Sequence, residues 1–150
     1  QKGMIRLVLD TNILVSAVLT PHGAPAKILT LAREERVGLI FSHDTVNEIC
    51  KVLHYPRLVA FIKKRGLALD TVEPVIEKII RISIITHGKL FIEAVKDDPT
   101  DNMFLVCAVE GEADFIVSGD HHLLNLTSFM GINILSPRDF LNEFLTNSEG

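Results

Sequence analysis

Apolar residues along the chain fall into blocks of two kinds. The first kind is a short, unbroken, β-branched run. Ile5-Arg6-Leu7-Val8-Leu9, residues 37–41, Ala113-Asp114-Phe115-Ile116-Val117 and residues 132–135 read as strands, and residues 83–86 as a shorter one. The second kind recurs at helical spacing. Residues 13–19 and 26–36 read as two helices separated by the breakers Pro21, Gly23 and Pro25. Ser42 caps a helix to about His54, with Val46, Ile49, Cys50 and Leu53 as its inner stripe. Pro56 suits the first turn of a further short helix. From Asp70 onward, Val72, Val75, Ile76, Ile79 and Ile80 form an i, i+3, i+4, i+7, i+8 stripe. Asp98-Pro99-Thr100-Asp101 opens a helix whose residues 103–109 are almost all apolar, so it is expected to be buried on most sides, and Gly111 ends it. Ser136-Pro137-Arg138-Asp139 caps a last helix carrying Phe140, Leu141, Phe144 and Leu145.

Strands alternating with helices, the strands being continuous apolar runs, predict an α/β fold: a parallel sheet with helices on both faces. The expected domain is residues 4–146. Gln1-Lys2-Gly3 before Met4 reads as a tag remnant, and residues 147–150 as a frayed tail. No apolar run approaches the roughly 18 residues of a membrane span, and no signal-peptide pattern opens the chain. Cys50 and Cys107 lie in apolar helical patterns without ligand spacing. They read as buried free thiols in a reducing cytoplasm.

Charge changes the picture through its distribution. The net charge of -4 speaks against a generic nucleic-acid binder. Yet no acidic residue occurs from Cys50 to Leu69, where Lys51, Arg57, Lys63, Lys64 and Arg65 fall. That strip is a candidate phosphate-binding surface. Carboxylates gather elsewhere. In open parallel sheets ligands bind beyond the carboxyl ends of the strands, and Asp10 and Asp120 stand immediately after predicted strands. Asp98 and Asp101 sit at a buried helix's start, where they also fit a capping box. Glu48 lies off its helix's apolar stripe and faces cleft or solvent. Carboxylates brought together repel and lose solvation, so they need a cation or raised pKa values. Hard oxygen donors favour Mg²⁺ or Mn²⁺ over Zn²⁺. One or two such ions suit phosphodiester hydrolysis. His121-His122 receives no ligand role, because adjacent histidines on a loop usually point apart.

The order of these motifs resembles the PIN domain family. Val8-Leu9-Asp10-Thr11-Asn12-Ile13-Leu14-Val15-Ser16-Ala17 is similar to that family's opening motif, and Ser42-His43-Asp44-Thr45-Val46-Asn47-Glu48-Ile49 to its second. Asp98-Pro99-Thr100-Asp101-Asn102-Met103-Phe104-Leu105 resembles the third, and Ala113-Asp114-Phe115-Ile116-Val117-Ser118-Gly119-Asp120 with Leu123-Leu124 the fourth. The resemblance implies a three-layer PIN fold and a Mg²⁺- or Mn²⁺-dependent endoribonuclease leaving a 5′-phosphate and a 3′-hydroxyl. Asp10, Glu48, Asp101 and Asp120 take the acidic positions, and Asp98 would be an extra acidic neighbour at the metal. Thr11, Asn12 and Ser118 fall beside these ligands, Ser118 where many relatives carry Thr. Ile134-Leu135-Ser136-Pro137-Arg138-Asp139-Phe140-Leu141 resembles the tail of a subgroup regarded as toxins of toxin–antitoxin systems. That likeness implies an antitoxin partner and a homodimer or higher homo-oligomer.

Four other readings compete, one of them the 5′-nucleases, which share the acidic logic and would act on DNA but are usually longer and carry further DNA-binding helices. A haloacid-dehalogenase-type phosphatase needs a second Asp where Asn12 stands. A receiver domain needs a late-strand lysine that is not evident. A non-catalytic PIN-fold module that binds RNA or protein is the strongest rival, and retention of all four carboxylates counts against it.

Overall fold

A computed structural model of the chain describes residues 3–96 and 99–149. Six strands form one sheet: β1 (Ile5–Leu9), β2 (Val37–Ser42), β3 (Ile84–Thr86), β4 (Phe115–Val117), β5 (Ser128–Phe129) and β6 (Ile132–Leu135), in the order β3-β2-β1-β4-β6-β5. Every neighbouring pair is parallel except β5 with β6, which is antiparallel. The sheet is thus parallel as expected, save for a two-residue edge strand that carries no apolar run of its own.

Strand alternation divides the core in two. Leu7, Leu9, Leu39, Phe41 and Val117 point into one apolar cluster, and Val8, Ile40 and Ile116 into the other. The first is covered by α1 (Thr11–Leu19), α2 (Ala24–Arg33), α3 (His43–Leu53), α4 (Pro56–Lys64), α5 (Leu69–Arg81) and α8 (Pro137–Glu149). The second is covered by α6 (Asn102–Glu110) and the single turn α7 (His121–Leu124). Burial on both faces is why the strands read as unbroken hydrophobic runs. Within α6, Phe104 through Ala108 are all buried, as its composition requires.

Several boundaries differ from the sequence reading. Helix α2 stops at Arg33, because Glu35 takes a left-handed conformation (φ 59°) and the Arg36 N–H closes back onto the Leu31 carbonyl. Gly111 does follow α6, but its φ is -87° and the left-handed residue is Glu112. Glycine is needed at 111 for space, since a Cβ there would lie 2.6 Å from Ile40 Cγ2 on β2. Helix α8 extends to Glu149, past the expected fraying point, and Gly150 lies outside the described residues. Cys107 is buried as expected, and burial pushes its thiol up to about 11, which leaves it inert at neutral pH. Cys50, by contrast, is exposed: it stands beside the inner stripe of α3 rather than in it.

From β1 the chain moves to β2 and β3 on one side, and later to β4 and β6 on the other. The crevice between the diverging connections therefore opens at the carboxyl ends of β1 and β4, the place where α/β sheets bind ligands.

Candidate metal centre and nucleic-acid cleft

Two adjacent strands launch the site. The Asp10 N–H donates to the Val117 carbonyl (3.1 Å), which continues the β1–β4 ladder to the last residue before each turn. Asp10 then caps α1, with Oδ1 accepting from the Ile13 N–H at 2.9 Å. Its Oδ2 accepts from the Ser118 hydroxyl and from the Gly119 N–H at 3.3 Å. The Ser118 oxygen in turn accepts from the Asp120 N–H at 2.9 Å. Ser118 is fully buried, so one hydroxyl holds the strand ends bearing Asp10 and Asp120 at a fixed spacing.

Asp120 follows β4 and caps α7, with Oδ1 accepting from the His122 N–H at 2.8 Å. Asp101 ends a 3-10 turn (Pro99–Asp101) and begins α6. It is buried, and as the residue before α6 its side chain makes no capping hydrogen bond to that helix; the capping box expected between Asp98 and Asp101 involves a residue outside the described ones. One of its carboxylate oxygens lies within 4.8 Å of one of Asp120. Glu48, half-buried on α3, turns toward the same opening.

These carboxylates and their neighbours line a cleft of about 520 Å³, which contains Asp10, Glu48, Asp101 and Asp120 together with Thr11, Asn12 and Thr100. The structure thus brings the four sequence-predicted carboxylates to one opening. Asp98, the fifth predicted ligand, lies outside the described residues. Asp10 is pushed above the ordinary aspartate value. Burial is the main cause, outweighing the hydrogen bonds from Ser118, Ile13 and Gly119, with the nearby Asp120 charge adding to the rise. Burial opposes the charge on Asp120 too. There the Asp101 carboxyl, the His122 N–H and the imidazoles of His122 and His121 outweigh it and hold the group low.

Two features of the chain fit a divalent cation here. The donor set is dominated by hard carboxylate oxygens crowded at low solvation. In addition, Thr11 Oγ1 is buried without a hydrogen-bond partner among the described residues, and it lines the cleft, as a group does that completes a hydrated ion's shell.

The opposite wall is aromatic and cationic. Tyr55 and Phe61 are substantially exposed there beside Arg57, Val52 and Leu58. Sequence reasoning missed the two aromatics, because neither belongs to an apolar stripe and exposed rings carry no periodic signal. Of the predicted basic strip only Arg57 lines the cleft. Lys51, Lys63 and Lys64 are exposed outside its lining. Arg65 has structural work: it donates to the Leu19 carbonyl at the end of α1 (3.4 Å), and its guanidinium lies 4.9 Å from the Phe61 ring centre.

The sequence profile of the PIN domain family matches residues 6–122, a span that begins in β1 and ends just after Asp120. The chain belongs to the PIN domain family. PIN domains are generally nucleases that work with divalent metals on nucleic acid, and the arrangement of this PIN domain's acidic cleft is in keeping with that chemistry. The chain is also similar to an uncharacterized protein of Methanocaldococcus jannaschii, at 28% identity over 96% of this chain and 94% of that protein. No helix among the described residues is long and apolar enough to cross a membrane.

Proposed function

We propose that this PIN domain is a Mg²⁺- or Mn²⁺-dependent endoribonuclease of the cytoplasm that cuts single-stranded RNA. The observation that carries the reading is the convergence of Asp10, Glu48, Asp101 and Asp120, from four different segments, on one cleft with an aromatic and basic far wall. Asp101 and Asp120 would hold the ion, with Asp10 and Glu48 completing the acidic shell and Asp98 as a further neighbour. A bound ion supplies a water of lowered pKa and neutralises charge on the scissile phosphate.

The remaining work belongs to side chains. Ser118 and the backbone N–H groups of Ile13 and Gly119 orient Asp10, so its carboxylate meets the ion in one pose. Thr11 and Asn12 offer a hydroxyl and an amide to a water at the cleft floor. Arg57 meets backbone phosphate, and Tyr55 and Phe61 offer ring faces to unstacked bases. Ring stacking of this kind needs splayed bases, which favours single-stranded over duplex substrate. Lys51, Lys63 and Lys64 would extend the basic track beyond the cleft. The products are expected to carry a 5′-phosphate and a 3′-hydroxyl.

The toxin role rests on the likeness of the 134–141 segment to toxin tails. In that role a small antitoxin would block the cleft with a cationic side chain, and copies of the chain would pair through the outer faces of the helices in residues 13–36 or 46–81. The deciding experiment is incubation of mixed RNA with the wild type and with Asp10→Asn, with and without EDTA. Cleavage that needs both Asp10 and the metal supports the enzyme. A folded wild type that binds RNA but neither takes up Mn²⁺ nor cuts favours the non-catalytic binding module.

A further inference from the structure

The carboxylates have a nitrogen neighbour that the rule about adjacent histidines excluded. His122 follows Asp120 by two residues on α7, and its ring does not point away from His121. The two ring centres lie 4.1 Å apart at 60° to one another. The backbone of the turn is held as well, since the His122 N–H donates to Asp120 Oδ1 at 2.8 Å.

This placement brings His122 Nδ1, a carboxylate oxygen of Asp101 and one of Asp120 within 4.8 Å of one another. His122 Nδ1 is buried and has no hydrogen-bond partner among the described residues. It faces Asp120 Oδ1 at 4.0 Å, too far for a hydrogen bond. That spacing leaves a gap between the two atoms.

A cation fits that gap. With metal–ligand bonds of about 2.0–2.2 Å, neighbouring donors lie roughly 3 Å apart and opposite donors a little over 4 Å apart. The 4.0 Å separation falls within that range.

We propose that His122 Nδ1 is a ligand of the same ion as Asp101 and Asp120, so that the centre binds Mn²⁺ in preference to Mg²⁺. This deepens the metal-dependent reading above and rests on it. Mg²⁺ takes oxygen donors and holds its waters, whereas imidazole suits the first-row transition ions. One nitrogen in an otherwise oxygen shell therefore biases the site toward Mn²⁺ and the ions beyond it. The remaining imidazole nitrogen, Nε2, would carry the proton.

The test reads the metal rather than turnover. Mn²⁺ and Mg²⁺ are titrated by calorimetry into the wild type, His121→Gln, His122→Gln and Asp101→Asn, and Mn²⁺-loaded samples are examined by pulsed electron paramagnetic resonance for coupling to ¹⁴N. The wild type and His121→Gln should show histidine nitrogen coupling. His122→Gln should lose it, with Mn²⁺ affinity falling about tenfold or more and Mg²⁺ affinity changing far less. Wild-type protein with ¹⁵N-labelled histidine should show the coupling altered accordingly, a measurement that needs no variant to fold. Mn²⁺ bound without nitrogen coupling, coupling that survives His122→Gln, or equal losses for the two ions would overturn the proposal while leaving the acidic metal site standing. Absence of Mn²⁺ uptake by the wild type, or uptake indifferent to Asp101→Asn, would remove the metal-dependent reading and this proposal with it.

Discussion

Two carboxylate sites on this molecule use the same functional group to opposite ends. Glu110, at the end of α6, accepts three backbone N–H bonds, from Gly88 (2.6 Å), Lys89 (2.7 Å) and Leu90 (3.1 Å). Its negative charge is answered by the chain. Although partial burial works against that charge, the three N–H groups outweigh it and hold the pKa below the ordinary glutamate value. The cleft is arranged differently. Asp10, Asp101 and Asp120 gather at one opening; Asp10 is raised by burial despite its donors, and Asp120, though held low, is held so by a neighbouring carboxyl and two imidazoles as well as by one backbone N–H. A carboxylate the protein satisfies ties down a loop. Carboxylates it crowds and leaves electrostatically in debt form a place for a cation.

The comparison breaks most sharply under amide substitution. Asp101→Asn should lower RNA cleavage by on the order of 100-fold or more, beyond the 10–100-fold typical of losing an outer supporting group. Its melting temperature in EDTA should hold or rise, because a repulsive charge has been removed. Glu110→Gln should do the reverse: cleavage near wild type, with a lowered melting temperature. If Asp101→Asn cut RNA at the wild-type rate, Asp101 would leave the catalytic set.

Ser118→Ala tests whether orientation matters as much as charge. It deletes the hydroxyl between Asp10 and the Asp120 backbone, and should cost roughly 10–100-fold in cleavage and in Mn²⁺ affinity. Unchanged metal affinity in this variant would mean that Asp10 needs no such support.

Smaller effects should separate cleft from periphery. Arg57→Glu should weaken single-stranded RNA binding and reduce the salt slope of log K by about one. Lys63→Glu/Lys64→Glu should do less, since neither residue lines the cleft. Equal effects would return the RNA path to the whole basic strip.

The smallest effect is one of pH. The folded pKa of Glu110 is depressed, so its stabilisation is present above the unfolded value, near 4.5, and is lost as pH falls through the folded value. The stability gap between wild type and Glu110→Gln should therefore be full at neutral pH and close in acid. Denaturant melts at a series of pH values would read it. A gap independent of pH would show that hydrogen-bond geometry, not ionisation, is what Glu110 contributes.

What the sequence disclosed follows from how these elements are built. Strands β1, β2 and β4 were legible because burial on both faces leaves little polar alternation to confuse the pattern, and β6 because Ile132 and Ile134 are buried either side of an exposed Asn133. Asp10 and Asp120 were legible because a polar residue directly after such a strand sits at the crevice. β5 was not, being two residues long and held only by its pairing with β6. The end of α2 was hidden because Glu35, rather than a glycine, takes the left-handed turn. Arg65 counted as a phosphate ligand by charge alone, while its guanidinium is engaged with Leu19 and Phe61. His122 was passed over on a rule about adjacent histidines that a single helical turn suspends.

The hydrogen bond that extends the β1–β4 ladder to Asp10 also sets a timetable. Asp10 is made before Glu48, and Glu48 before the segment carrying Ser118 and Asp120. Until β4 slots in beside β1, the acidic residues belong to separate stretches of a nascent polypeptide and cannot gather an ion. On the proposed reading, copies of the chain cut short before β4 would carry no metal centre.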